Sequence, residues 1–257
     1  MKKHILSIFI CFCLFLISCA SLNDQIETIE EIDEIKDEVV IIDAEIDSTS
    51  VNNSNAIKFK ILSLGDSYTI GQSVCETCRY PSQLKDSLLK TYPQESTIDL
   101  KIIARTGWTT TDLINGINSQ NISDDYNLAT LLIGVNNQYR FSDISVFEEE
   151  FPLLVDTSIK AIGGDKNKLI IISIPDYSFT PLFKDNTDIS KQIDNYNNFI
   201  EEYCKKNDIT YVYITDISRE GLTNPNLVAS DNLHLSELAY SKFIQRILPL
   251  ALKKLNN

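Results

Sequence analysis

The chain has 257 residues, 43% apolar and 23% charged, which suits one α/β domain with a sizeable core and some chain to spare. Its formal net charge of −13 argues against a nucleic-acid partner, which would leave a basic patch.

The first residues differ from the rest. "MKKH" is basic, "ILSIFICFCLFLI" (Ile5 to Ile17) is uncharged, and "SCAS" follows. A basic start, an apolar run too short to span a bilayer and then small residues form a signal-peptide pattern over 1–18. Leu16-Ile17-Ser18-Cys19 resembles a bacterial lipobox, which implies Cys19 as the lipidated mature N-terminus. A plain secretory signal or an uncleaved anchor is the alternative. The expected protein is a cell-envelope lipoprotein, periplasmic or surface-facing, tied to the membrane by acyl chains rather than by a helix. Cys11 and Cys13 leave with the signal.

Residues 19–56 form an acidic segment. Eleven acids and one lysine, Lys36, lie between Asp24 and Asp47. Ile26, Ile29, Ile32, Ile35, Val39, Ile42 and Ile46 recur at helical spacing, but β-branched residues are mediocre helix formers and the like charges repel. "STSVNNSN" then reads as a polar hinge. The segment reads as a solvated spacer, with a short partner-binding helix as the sharper alternative.

From Ile57 to the end, 57–257, strands and helices alternate. Strands are expected at 57–64, 96–104, 127–134, 168–175 and 210–217, and helices at 80–92, 109–117, 142–162, 188–207 and 236–255. Five apolar strands separated by helices predict an α/β domain, a parallel sheet covered on both faces. In such sheets active groups lie beyond the carboxyl ends of the strands. There the sequence puts Gly65-Asp66-Ser67, Arg105-Thr106-Gly107-Trp108, Gly134-Val135-Asn136-Asn137-Gln138 and, before the last helix, Asp231-Asn232-Leu233-His234.

A serine hydroxyl needs a base to become a nucleophile, and the base needs an orienting partner. The only histidines are His4, in the signal, and His234, so a histidine base in the mature protein must be His234. Asp231 lies three residues earlier, within reach of a turn. Donors for a developing oxyanion are the N–H groups of Ser67 and Gly107 and the Asn136 amide. Singly these motifs are weak: Gly-Asp-Ser is commonly a turn or cap, Asp-x-x-His a capping pair, Gly-Val-Asn-Asn a loop. Their order after successive strands carries the signal.

"GDSYT", Gly107, "GVNN" and "DNLH" resemble the four motif blocks of the SGNH, or GDSL, hydrolases, over about 57–255. The resemblance implies a three-layer α/β/α fold with a flavodoxin-like sheet and a serine esterase working through an acyl-enzyme. It implies Ser67 as nucleophile, His234 as base, Asp231 as its orienter, and Ser67, Gly107 and Asn136 as the oxyanion hole. The third block usually reads Gly-x-Asn-Asp, and Asn137 stands where the acid is, a position that supports the loop in the family. Thr69 occupies the second glycine position of a Gly-x-Ser-x-Gly elbow, so this is not that motif.

Cys75 and Cys78 fall just after Ser67. In an exported protein they read as a small-loop disulfide, with free thiols or a redox pair as alternatives. No metal or cofactor is expected: Cys204 and His234 make no closed set without consuming the base. Cys204 reads as core, and Trp108 as either acyl-pocket wall or core. The leading expectation is an esterase on a small-molecule or glycan ester, such as an O-acetyl carbohydrate, acting as a monomer. The alternative is a catalytically silent envelope lipoprotein that binds glycan through the same fold. Nothing resembling a long apolar lid follows Gly71, which disfavours a long-chain lipase.

Overall fold

The computed structural model describes residues 56–256; the signal segment, Cys19 and the acidic spacer lie outside the described residues. Five strands form one parallel sheet in the order β2-β1-β3-β4-β5: β1 Lys58–Gly65, β2 Thr97–Ala104, β3 Leu128–Leu132, β4 Leu169–Ile172 and β5 Thr210–Val212. This is the flavodoxin-like, doubly wound order. Every residue of β3 and β4 is buried, as expected of strands covered on both faces.

The helices are α1 Ser67–Ile70, α2 Tyr80–Leu89, α3 Thr110–Asn118, α4 Val135–Tyr139, α5 Ile144–Ala161, α6 Thr187–Asn207, α7 Thr215–Arg219 and α8 Glu237–Leu255. α2 packs on α8, and α3 on α5, so helices flank the sheet in a three-layer α/β/α arrangement. Leu62, Leu64, Leu131 and Ile171 from the strands meet Tyr80, Phe147, Phe151, Tyr240 and Phe243 from the helices in one core. Most helices begin at a sequence-readable cap. Thr109 makes a capping box with Asp112, Asn186 caps α6 and Ser236 caps α8. Pro81 sits in the first turn of α2, where its missing N–H costs nothing.

Beyond element ends that shift by up to three residues, the structure departs from the expected elements in two places. The strand expected over 210–217 ends at Val212, and α7 begins at Thr215. The β-branched run has strand propensity, but the Thr215 hydroxyl bonds Ser173 Oγ and the Ile174 carbonyl, and Asp216 pairs with Arg246 of α8. Tertiary contacts override propensity there. The second difference is that α4, a stretch readable as only a loop, is a short helix starting at Gly-Val-Asn-Asn, while Ser67 opens the short helix α1.

The register levels the strand ends. Gly65 pairs with Ala104 on one side and Leu132 on the other, so the segments after β1, β2 and β3 leave the sheet side by side. A side chain at Gly65 would lie 2.1 Å from Thr69 Oγ1 and 2.3 Å from the Leu132 carbonyl. Only glycine lets the chain turn here directly into α1.

Candidate active site

Ser67 is the first residue of α1 and is buried. Asp66 caps this helix: its wholly buried carboxylate accepts the Tyr68 N–H at 2.9 Å. Burial pushes the Asp66 carboxyl up to about 7, against hydrogen bonds from Tyr68 and Asn136 that favour its ionised form.

The second arm is the turn Asp231–His234, closed by a pairing of Val228 with Leu235. Asp231 Oδ1 accepts the N–H groups of Leu233 at 3.0 Å and His234 at 2.9 Å. Oδ2 is thereby aimed at the ring, 2.6 Å from His234 Nδ1. Burial raises the Asp231 carboxyl, but hydrogen bonds from Ser73 and His234 outweigh it and hold it well below the usual carboxylate range. An ionised carboxylate only accepts, so Nδ1 carries the hydrogen and a neutral ring keeps its lone pair on Nε2. The Asp66 and Asp231 carboxylates thus sit in opposite regimes.

Besides the Ser67 N–H, the donors expected for an oxyanion lie in the loop after β2 and in α4. Gly107 has φ +84°, a conformation that favours glycine. Its carbonyl accepts from Arg140 Nη2, and Arg140 also pairs with Asp112 at 3.5 Å. Among the described residues no hydrogen bond takes up the N–H of Ser67 or of Gly107. Asn136 lies in α4, and its Nδ2 donates to the Trp108 carbonyl at 3.1 Å and to Asp66 Oδ2 at 3.4 Å. The Asp66 bond is the longer of the two. Asn137, beside it, is buried and bonded at both ends of its amide to Thr110.

Ser67, Gly107, Asn136 and His234 line one cavity of about 200 Å³, with walls from Tyr68, Val135, Tyr139, Tyr177 and Leu233. No hydrogen bond joins the Ser67 hydroxyl to the His234 ring among the described residues, a looseness common in unliganded sites. A larger cavity of about 530 Å³ lies between Asp165, Lys168, Thr210 and Lys254, at the amino ends of β4 and β5 and away from these groups.

Cys75 and Cys78 are joined by a disulfide. Cys204 is a buried free thiol, and burial pushes it up to about 12. The Trp108 ring packs on Gly116 of α3, so its ring serves packing and its carbonyl serves Asn136. Sequence reasoning missed Ser73, whose hydroxyl bonds Asp231, and the pocket walls Tyr139 and Tyr177. Only the positions of Tyr139, shortly after the Asn136 motif, and Tyr177, shortly after β4, signalled those walls.

The model of the GDSL-like Lipase/Acylhydrolase family matches residues 63–242. No curated protein matches the chain by sequence. Among solved structures, the psychrotrophic esterase EstA from Pseudoalteromonas sp. is similar at 16% identity and TM-score 0.56, over 77% of this chain and 99% of that one. A lipase/acylhydrolase from Enterococcus faecalis matches at 17% identity and TM-score 0.58, over 76% of this chain and 95% of that one. A variant of an acetyl xylan esterase from Geobacillus stearothermophilus matches at 18% identity and TM-score 0.55, over 77% and 96%. At these identities the likeness to solved structures is one of fold.

Proposed function

We propose, for a chain that belongs to the GDSL-like lipase/acylhydrolase family and is a carboxylic ester hydrolase, that it cleaves small acyl esters through a Ser67 acyl-enzyme, an O-acetyl group on a carbohydrate being the substrate class that fits best. The observation that carries the reading is the meeting of Ser67, Gly107, Asn136 and His234 on one cavity, with the His234 ring held by Asp231.

Ser67 Oγ attacks the ester carbonyl carbon while His234 Nε2 takes its proton. The carbonyl oxygen becomes an oxyanion held by the N–H groups of Ser67 and Gly107 and by Asn136, whose amide gives up its long bond to Asp66. Collapse breaks the bond to the alcohol oxygen, which leaves with the proton from His234. Water, deprotonated by His234, attacks the acyl-Ser67 carbonyl; the bond from the acyl carbon to Ser67 Oγ then breaks, Ser67 takes the proton back from His234, and the carboxylic acid leaves. Asp231 stabilises the transient imidazolium and stays ionised throughout.

The small acyl group follows from size. About 200 Å³ is below the roughly 300–1,000 Å³ of ordinary ligand clefts, and Tyr68, Tyr177 and Leu233 close the walls. A likeness in fold to an acetyl xylan esterase agrees with, but does not carry, the carbohydrate part. Lipidation at Cys19 and residence in the cell envelope belong to the same proposal and rest on the lipobox pattern.

The test uses the full chain in detergent. Esters from acetyl to octanoyl, then acetylated polysaccharides, are offered to native protein and to Ser67→Ala. Hydrolysis that is fastest for acetyl and absent in Ser67→Ala is expected. Equal rates in both proteins would leave a silent binding module as the reading.

A further inference from the structure

The segment between α1 and α2, Gly71–Arg79, is a strap that bonds the acid turn through Ser73 and the loop before Gly107 through Gln72. We infer that Ser73, carried by this strap, is a positioning residue for the hydrolytic reaction, locking the Asp231 carboxylate that orients His234. The inference rests on the triad reading above.

The Ser73 hydroxyl donates to Asp231 Oδ2 at 2.6 Å across 158 positions of sequence. The same oxygen takes Nδ1 of His234, also at 2.6 Å. With Leu233 and His234 N–H groups on Oδ1, four donors fill the carboxylate, and it cannot rotate about its Cβ bond without breaking two of them. Only the ring proton and the Ser73 hydroxyl compete for Oδ2.

The backbone is built to deliver that hydroxyl. Ser73 has φ +69°, a left-handed conformation that residues with a side chain rarely adopt. Such a conformation persists only where its surroundings over-determine it. Here the N–H groups of Gly71 and Gln72 both bond the Ser67 carbonyl, at 3.0 and 2.9 Å. The Cys75–Cys78 disulfide closes the far side of the strap, and Gln83 joins the Cys78 carbonyl to the Glu237 carbonyl at the start of α8. The neighbouring side chain reaches the opposite arm: Gln72 Oε1 accepts from Thr106 Oγ1 at 2.6 Å, one residue before Gly107. Adjacent residues of the strap therefore tie the acid turn and the oxyanion loop to the carbonyl of the nucleophile itself.

Ser73 acts on the carboxylate in two ways. It fixes the plane of Oδ2, and it draws negative charge from that oxygen, which weakens the hold on a protonated ring. The other titratable groups facing Asp231 are His234, Tyr68 and Tyr240, and burial keeps both phenols neutral far above neutral pH. Removing the Ser73 hydroxyl should slow turnover through lost orientation and move the acid limb of the kcat/KM profile to higher pH.

The experiment compares Ser73→Ala, Ser73→Gly and Asp231→Ala in the full chain, with 4-nitrophenyl acetate as probe. Glycine accepts φ +69° freely, whereas alanine keeps the strain of the native serine, so the two variants lose the same hydroxyl, one with the backbone strain kept and one with it relieved. Both are expected to lower kcat by roughly three- to tenfold, modest because water reaches the bond. KM should change less than twofold, the acid limb should rise by a few tenths of a pH unit, and Ser73→Gly should melt no lower than native. A loss of less than threefold in either variant, or an unmoved acid limb, overturns the inference. Near-native turnover in Asp231→Ala would instead overturn the triad reading.

Discussion

Asn137 and Thr110 bond each other twice: the Thr110 N–H donates to Asn137 Oδ1 at 3.0 Å, and Asn137 Nδ2 donates to Thr110 Oγ1 at 2.7 Å. The first bond satisfies one of the unpaired N–H groups at the start of α3. The second leaves the Thr110 hydroxyl proton free to donate to Glu150. Thus the amide, where the family usually has an acid, is matched to a carboxylate one hydroxyl away.

Asn137→Asp should therefore destabilise this protein. Two carboxylates would claim the single Thr110 hydroxyl proton in a buried place. The cost is about 1–3 kcal/mol, read as a lower urea midpoint at pH 8. Asn137→Asp combined with Glu150→Gln should recover most of it. No recovery in the double variant would show that Glu150 is not the source of the conflict.

Asn136→Ala should lower kcat by roughly 10²–10³-fold, the usual effect of losing one preorganised oxyanion donor. Its thermal midpoint should change little, because the side chain faces the cavity. Steady-state kinetics with an acetate ester decides the matter, and an unchanged kcat removes Asn136 from the oxyanion hole.

Ser67→Ala and His234→Ala should each reduce kcat by several orders of magnitude, and the double variant by little more, since the residues act as a unit. No second imidazole exists among the described residues to replace His234. Near-native turnover in His234→Ala would dismiss the mechanism.

Asp66 predicts a pH dependence of stability. Its folded-state value of about 7 is raised above the ordinary 3.8, so the folded protein binds more protons than the unfolded chain between those values. Its contribution to stability is full below pH 4, falls as pH rises toward 7, and stays lost above. About three units correspond to on the order of 4 kcal/mol. Asp66→Asn should remove this slope between pH 4 and 7, whatever its effect on the absolute midpoint. Parallel slopes in the two proteins would show that Asp66 ionises normally.

At the other end of the chain, full-length protein should partition into the detergent phase and Cys19→Ser should not. Detergent partitioning of Cys19→Ser equal to native would rule out a lipid at that cysteine.

The sheet is legible because five runs rich in apolar and β-branched residues alternate with helical patterns, with Gly65 closing β1 and Gly134 following β3. The acid turn was legible because Asp231 and His234 are three residues apart and meet through local hydrogen bonds. Ser73 was not, since its bond to Asp231 spans 158 positions and no local pattern marks it. α7 was missed because its β-branched residues favour a strand, and the bonds from Thr215 to the end of β4 reverse that preference. The burial of Asp66, and hence its raised value, also depends on long-range packing.

Arg140 closes the helix that carries Asn136, and its guanidinium grips the carbonyl of Gly107. One side chain thus joins the two groups proposed as oxyanion donors, which come from different crossovers of the sheet. For anyone transplanting this site into another scaffold, the portable unit is larger than its motif blocks. Copying Gly107 and Asn136 without Arg140 and its partner Asp112 would move the donors but leave behind the brace that spaces them.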